Sequence, residues 1–234
     1  IGGIGISALA KMAHSRGIEV FGVNDEEGKT VDSLRELGVM VKTREEFFES
    51  ASSETKGQGT HTIQKIPHES FFNADMYVYS DAWLNRGPEI IEEAKKTDKL
   101  VMNYASALGL FSKDYKTIAI SGTHGKTTTT AMVADILVEA GLNPTVVVGS
   151  FVKKFDSNFR KGSGEYLVVE ADEYNRHMLE LHPYIGAITN IEADHLDCYK
   201  DLEDIKTAFR QFLDQSENKI ENYDKYLEKV PKLL

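Results

Sequence analysis

Residues 116–130 read KTIAISGTHGKTTTT, so an apolar segment runs directly into a glycine-rich turn. Lys116–Ser121 predicts a buried strand, and Thr127–Ala140, followed by Gly141, predicts a helix. The glycines between them allow backbone N–H groups to turn toward one anion, and the first turn of the helix adds further N–H groups. The stretch therefore predicts a strand–loop–helix unit that binds phosphate.

The residue types in this loop suit a nucleoside triphosphate. Lys126 supplies a mobile positive charge for the β- and γ-phosphates, and a hydroxyl from Thr127 or Thr128 can ligate Mg²⁺. A full Walker A spacing would require glycine where the chain has Ile120, so the loop is a shorter variant. The predicted ATP-binding residues are those of the turn and the start of the helix: Gly122, Thr123, His124, Gly125, Lys126, Thr127 and Thr128.

Polar residues follow two further predicted strands in the same half of the chain. Glu165–Glu170 ends on an acid, and Gly186–Asn190 opens into a segment that contains His195. Ligands of an open α/β sheet lie beyond the carboxyl ends of its strands, where the phosphate loop is also expected. A carboxylate and an imidazole at that edge could hold divalent ions beside a triphosphate. The alternative for the histidine is an ordinary surface or capping residue.

The rest of the chain alternates between short strands and helices. A glycine-rich start precedes a helical apolar pattern that ends near Gly17, and a strand follows at Ile18–Val23. This unit resembles a βαβ motif whose first strand lies before Ile1. The other predicted helices are 30–37, 88–96 and 202–213, and the other strands are 39–41, 74–80, 100–102 and 145–148. The alternation favours an α/β fold with parallel sheets.

Two segments interrupt this alternation. Residues 50–68 are polar and aperiodic, and we interpret them as a flexible insertion. The charged tail at 214–234 has no strand signal, although it is amphipathic enough to form a helix.

Composition and charge limit the classes of protein. The 234 residues suffice for one large or two small globular domains. A formal net charge of −10 disfavours unspecific binding to nucleic acid or anionic membranes, and no apolar run reaches the ~18–20 residues of a spanning helix. The single cysteine, Cys198, excludes an internal disulfide and a cysteine zinc cluster and fits a reducing, cytoplasmic compartment. We expect neither nucleic acid nor membrane as a partner, and the oligomeric state stays open.

Four stretches together resemble the Mur ligase family, which builds the peptide stem of the bacterial cell-wall precursor. They are IGGIGIS at 1–7, SGTHGKTTTT at 121–130, EADEY at 170–174 with LHP at 181–183, and ITNIEADHLD at 188–197. The resemblance implies a Rossmann-like UDP-sugar domain over 1–112 and a partial central ATP-binding domain over 113–234. A third domain, for the incoming amino acid, would be absent, so the expectation is an N-terminal fragment or a truncated variant.

The resemblance also implies roles for individual residues, with ATP and Mg²⁺ as cofactors. The implied catalytic residues are Lys126, His124, Glu170, His195 and Asn190, and the implied Mg²⁺ ligands are Thr127, Glu170 and His195. The implied UDP-sugar contacts are Gly2, Gly3, Ile4, Gly5, Asn24, Asp25 and Ser80, where Asn24 and Asp25 are alternatives for the acid that follows the second strand.

Within the family the chain is most similar to the alanine-adding branch. That branch joins L-alanine to the lactyl carboxylate of UDP-N-acetylmuramate through an acyl phosphate. Later-acting members carry a carbamylated lysine about fifteen residues after the metal histidine, where this chain has Arg210. The recycling branch that attaches a whole tripeptide stays open. Two further alternatives stay open. One is a nucleotide- or UDP-sugar-binding module without complete activity, and the other is an unrelated P-loop switch protein.

Overall fold

A computed structural model describes residues 1–49, 71 and 73–220 of the chain. The interpreted insertion at 50–68 and the part of the tail beyond 220 lie outside the described residues.

The chain divides into two compact units, Ile1–Tyr104 and Ala105–Leu234. The domain boundary expected at 112/113 differs from this division by the helix Tyr104–Ser112, for which the sequence pattern gave no signal. Gly109 of this helix approaches the backbone of Glu180 so closely that an added Cβ would lie 2.4 Å from its carbonyl oxygen.

Within its described residues, the first unit contains two pairs of parallel strands. Strand β1 (Phe21–Asn24) pairs with β2 (Met40–Thr43), and β3 (Met76–Tyr79) pairs with β4 (Leu100–Asn103). The helices of this unit are α1 (Ile4–Ser15), α2 (Lys29–Glu36), α3 (Arg44–Glu49), α4 (Trp83–Arg86) and α5 (Pro88–Lys95).

Apolar side chains from helices and strands form the core of the first unit. Val31 and Leu34 of α2 are buried together with Val41 of β2. Phe47 and Phe71 pack edge to face, with ring centroids 5.5 Å apart. Full burial of side chains of this size stabilises a fold by about 1.5–3 kcal/mol each.

Six described strands of the second unit form one sheet in the order β10-β9-β5-β8-β6-β7. The strands are β5 (Lys116–Ser121), β6 (Thr145–Val152), β7 (Ser157–Arg160), β8 (Tyr166–Glu170), β9 (Ile185–Ile188) and β10 (Asn218–Ile220). All neighbours are parallel except β6 and β7, which are antiparallel. The helices are α6 (Tyr104–Ser112), α7 (Lys126–Glu139) and α8 (Leu202–Asp214), and a 3₁₀ segment covers Tyr174–Glu180. The expected α/β class with parallel sheets is confirmed.

The central strands of this sheet are buried on both faces, as the apolar runs predicted. Ile120 of β5 and Val168 of β8 belong to one core cluster with Val146 of β6. Strands β5, β8 and β9 run in the same direction, so their carboxyl ends reach one edge of the sheet. Among the described residues, no helix is long and apolar enough to cross a membrane.

The expectation of no strand in the tail is wrong for the described residues after α8. Asn218–Ile220 forms β10, which pairs in parallel with β9. The strand is only three residues long and exposed, and its sequence carries no alternation of apolar and polar positions. Its place is fixed by tertiary contacts, since the backbone N–H of Glu217 donates to Pro183 and that of Asn218 donates to Tyr184, at 3.0 and 2.9 Å.

Candidate active site

Two glycines shape the loop between β5 and α7. Gly125 has a φ of 80°, a left-handed conformation, and it immediately precedes the first residue of the helix. Gly122 has a φ of 135°, and a Cβ at this position would lie 2.1 Å from the Thr189 hydroxyl. At position 122, the backbone conformation and the close approach therefore both require glycine. The backbone turns from the strand into the helix N-terminus, as the sequence predicted.

The segment that follows β9 holds the phosphate loop from one side. Asn190 accepts a hydrogen bond from the backbone N–H of His124 at 2.9 Å and donates one to the His124 carbonyl at 3.0 Å. The Thr189 hydroxyl donates to the same carbonyl at 2.6 Å, and the Glu192 backbone N–H donates to the Thr123 hydroxyl at 2.9 Å. The structure thus brings Thr123, His124 and Asn190 together. It adds Thr189 and Glu192, which the motif at 188–197 contains without a predicted role.

Lys126 is not a freely exposed loop residue. Its ammonium donates to the Gly122 carbonyl at 2.7 Å and to Glu173 Oε1 at 2.9 Å, and its side chain is 16% exposed. The Glu173 side chain is 4% exposed. The motif EADEY contained this acid, but only the fold shows that it faces the loop lysine.

Thr127 and Glu170 meet at the first turn of α7. The Thr127 hydroxyl donates to the Glu170 carboxylate, with oxygen–oxygen distances of 3.1 and 3.0 Å. The Gly149 backbone N–H donates to Glu170 at 2.8 Å, and the Ser150 hydroxyl lies 3.4 Å from that of Thr127. Mg²⁺ prefers oxygen ligands, so this hydroxyl and carboxylate fit the implied metal. Thr128 is exposed on the same turn.

His195 lies in a left-handed backbone conformation with a φ of 54°. Its Nε2 is 3.4 Å from Glu173 Oε1, and its ring packs edge to face on Tyr174 with centroids 5.2 Å apart. Across the described ranges, no group of three or more histidine, cysteine, aspartate or glutamate side chains is arranged to hold a metal ion. The ligand set of Thr127, Glu170 and His195 stays a prediction.

A buried tyrosine fixes the backbone beside Glu173. The Tyr199 hydroxyl donates to the Glu173 carbonyl at 2.5 Å, and Tyr199 is 3% exposed. Burial raises the pKa of the Tyr199 phenol to about 12, so the hydroxyl keeps its proton and remains a donor.

The glycine-rich start of the chain meets the end of β1 in the first unit. The Gly2 backbone N–H donates to Asn24 Oδ1 at 2.9 Å, and a Cβ on Gly2 would lie 2.3 Å from Asn24 Nδ2. Asp25 instead lies 3.8 Å from the Arg44 guanidinium. Asn24 therefore reaches the glycine loop. Whether Asn24 or Asp25 contacts the uridine stays open.

The other predicted UDP-sugar residues lie at the ends of nearby elements. Gly3 immediately precedes α1, and Ile4, its first residue, is 41% exposed. A Cβ on Gly5 would lie 3.0 Å from the ring of Tyr104. Ser80 follows β3, and its carbonyl accepts the backbone N–H of Trp83 at 2.8 Å. Their contact with a nucleotide sugar stays a prediction.

A cavity of about 330 Å³ lies elsewhere, at the amino end of β5. Lys116, His182 and Tyr184 contribute to its lining, and none of the predicted site residues does. The phosphate loop lies at the opposite end of the same strand, so this cavity is separate from the predicted chemistry.

Two protein-family models match consecutive parts of the chain. The model described as the catalytic domain of the Mur ligase family matches residues 1–116, and the Mur ligase middle domain matches residues 120–232. A curated UDP-N-acetylmuramate–L-alanine ligase from Caldicellulosiruptor saccharolyticus is 42% identical over 213 residues, which cover 91% of this chain and 42% of that protein. The ligase of the same name from Clostridium perfringens is 36% identical, with the same two coverages.

Solved structures agree with these matches. The UDP-N-acetylmuramate–alanine ligase of Thermotoga maritima superposes with a TM-score of 0.73 at 29% identity, over 94% of this chain and 46% of that one. The UDP-N-acetylmuramate:L-alanyl-gamma-D-glutamyl-meso-diaminopimelate ligase of Neisseria meningitides superposes with a TM-score of 0.74 at 26% identity, over 92% and 66%.

The chain spans less than half the length of the curated relatives it matches, 42% in each case above. The two family models nevertheless account for nearly all of its residues, in the order of the family. The phosphate loop with Lys126, and Glu170 and Asn190 beyond the neighbouring strands, lie in the region that the middle-domain model matches. By its sequence and its fold, this chain belongs to the Mur ligase family.

Proposed function

We propose that the chain forms the UDP-sugar-binding and ATP-binding parts of an ATP-dependent ligase that joins L-alanine to the lactyl carboxylate of UDP-N-acetylmuramate. The observation that carries the proposal is that the phosphate loop meets the acid at the end of β8, where the Thr127 hydroxyl lies 3.1 and 3.0 Å from the two Glu170 carboxylate oxygens. The curated relatives of that name support the choice of substrates, at 42% and 36% identity.

The proposed reaction has two steps. The lactyl carboxylate attacks the γ-phosphorus of ATP, which forms an acyl phosphate and releases ADP. The amine of L-alanine then attacks the acyl carbon and gives a tetrahedral intermediate, from which phosphate leaves as the amide forms. The first step depends on alignment of the two reactants and on neutralisation of charge, because phosphoryl transfer needs little covalent help from the protein.

The chain's own residues supply that alignment and charge. The N–H groups at the start of α7 bind phosphate oxygens, and the Lys126 ammonium stabilises the charge that develops on the transferred group. The Thr127 hydroxyl and the Glu170 carboxylate would hold Mg²⁺, which neutralises phosphate charge when it is bound. His195 is proposed as a further ligand, and His124 and Asn190 as residues that line the reaction centre. ATP and UDP-sugars are cytoplasmic metabolites, so we propose a cytoplasmic location.

A second candidate is the attachment of a whole tripeptide to the same UDP-sugar. The Neisseria meningitides ligase, whose name carries that tripeptide, superposes about as well as the alanine ligase of Thermotoga maritima. Arg210 suits both candidates, because neither requires the carbamylated lysine of the later-acting branches. We therefore expect the activity to be independent of bicarbonate for both candidates.

The first experiment measures binding of MgATP to this chain by calorimetry. We expect binding by the wild type and loss of it in Lys126→Ala, with Lys116→Ala as a control at the other end of β5. Equal binding by wild type and Lys126→Ala would contradict the proposal.

The second experiment tests ligation. The C-terminal part of the Caldicellulosiruptor saccharolyticus relative is joined to this chain, and ADP release is followed with UDP-N-acetylmuramate and either L-alanine or the tripeptide. Release that requires L-alanine supports the main proposal. Release only with the tripeptide favours the second candidate.

A further inference from the structure

Glu173 has no role in the proposed chemistry, yet its carboxylate contacts two groups that the proposal assigns to ligands. Its Oε1 accepts a hydrogen bond from Lys126 Nζ at 2.9 Å, and His195 Nε2 lies 3.4 Å from the same oxygen. The side chain is 4% exposed. One buried carboxylate therefore contacts both Lys126, which is proposed to bind phosphate, and His195, which is proposed to bind the metal.

The hydrogen-bonding capacity of Lys126 is fully used. An ammonium has three N–H donors. Nζ has three partners, the carbonyls of Gly122 at 2.7 Å and Thr123 at 3.3 Å and the Glu173 carboxylate. A phosphate oxygen that binds the lysine must therefore displace at least one of them. The carboxylate is the only anion among the three, so a phosphate competes with it for the same charge.

Glu173 has little freedom to withdraw from the loop. Its carbonyl accepts hydrogen bonds from the Tyr199 hydroxyl at 2.5 Å and from the Arg176 backbone N–H at 2.9 Å. Its Oε2 is buried 2.7 Å from Lys126 Nζ but makes no hydrogen bond of acceptable geometry among the described residues. The negative charge is thus buried beside Lys126, an arrangement that becomes costly if the cation moves away.

We propose that Glu173 is a positioning residue that holds Lys126 at the phosphate loop and competes with the phosphates of ATP for it. This inference rests on the proposed function of the loop. The carboxylate would then set the affinity of the loop for ATP without touching the nucleotide.

The test is the affinity of MgATP for Glu173→Gln, measured by calorimetry. Glutamine keeps the shape and can still accept a hydrogen bond from Lys126, but it has no charge to compete with phosphate. We expect the dissociation constant to fall about tenfold, which corresponds to about 1.4 kcal/mol. A purely structural role for Glu173 would instead weaken binding together with thermal stability.

The matched control is Glu165→Gln. Glu165 also pairs with a lysine, Lys116, at 2.9 Å, but this pair is exposed and lies at the amino end of β5. We expect no change in ATP affinity from its removal. Glu173→Asp, which shortens the side chain by one methylene, should give an intermediate gain, and it decides the test if Glu173→Gln does not fold.

The outcomes separate the two proposals. In one outcome, the wild type binds MgATP, Lys126→Ala does not, and Glu173→Gln binds it equally or more weakly than the wild type. This outcome overturns only the role of Glu173. Absence of binding in both the wild type and Glu173→Gln overturns that role and the proposed function together. Binding that appears only in Glu173→Gln supports both.

Discussion

Asn190 and His124 exchange two hydrogen bonds across the carboxyl edge of the second unit's sheet, at 2.9 and 3.0 Å. A third bond, from the Thr123 backbone N–H to the Asn190 carbonyl at 3.1 Å, continues this pairing. The segment after β9 therefore holds the loop after β5 through three hydrogen bonds. Preorganisation of this kind reduces the entropy lost when a phosphate is captured.

Asn190→Ala should loosen the phosphate loop. The variant loses both side-chain hydrogen bonds to His124, so we expect the free energy of unfolding to fall by about 1–2 kcal/mol. The affinity for MgATP should fall about tenfold. Urea unfolding and calorimetry measure the two effects. Asn218→Ala, which removes one side-chain hydrogen bond to the Tyr184 carbonyl at the other edge, should leave the ATP affinity unchanged.

Lys126→Ala should lower stability as well as nucleotide binding. Removal of the lysine leaves the buried Glu173 carboxylate without its main partner, which typically costs about 3–5 kcal/mol. Lys126→Ala combined with Glu173→Gln should recover much of this stability, because no buried charge then remains, but should not recover ATP binding. Thermal unfolding of the wild type, both single variants and the double variant checks the expectation. Additive losses would mean that the two side chains are not coupled.

Thr127→Val should remove the metal-dependent part of ATP binding. Valine has nearly the same shape but no hydroxyl to bind a cation or to donate to Glu170. We expect Mg²⁺ to strengthen ATP binding to the wild type and to have little effect in the variant, as measured with and without a chelator. Thr129→Val, two positions further along α7, is the control. An undiminished Mg²⁺ effect in Thr127→Val would remove this hydroxyl from the proposed ligands.

Tyr199 should make the fold sensitive to alkali. Its phenol has a pKa of about 12 in the folded chain because of burial, against an ordinary value of 10.0. A folded-state pKa above the unfolded one gives stability that is fully present below pH 10 and is lost as the pH rises through 12. Unfolding measured across this range should show a steeper loss for the wild type than for Tyr199→Phe. Parallel curves would show that Tyr199 ionises as freely as an exposed tyrosine.

Local patterns predicted the phosphate loop and much of the second unit's sheet. Apolar runs identified β5 and β8, and the helix after the glycine turn begins at Lys126, one residue from its predicted start. The hairpin partner β7 and the edge strand β10 escaped prediction, because neither carries a periodic apolar pattern. Short exposed strands are fixed by pairing with neighbours, which a local pattern does not encode.

Two glycines, a lysine and a threonine at fixed spacing were enough to predict a phosphate-binding loop, because few other sites require this combination. The sequence also identified Glu170 as an acid at the end of a strand. Which acid faces which loop residue depends on the fold. Glu170 and Glu173 stand three positions apart, yet the first bonds to Thr127 and the second to Lys126. The chain ends β8 at Glu170 and then turns into the 3₁₀ segment, so the two carboxylates approach the loop from different backbone directions.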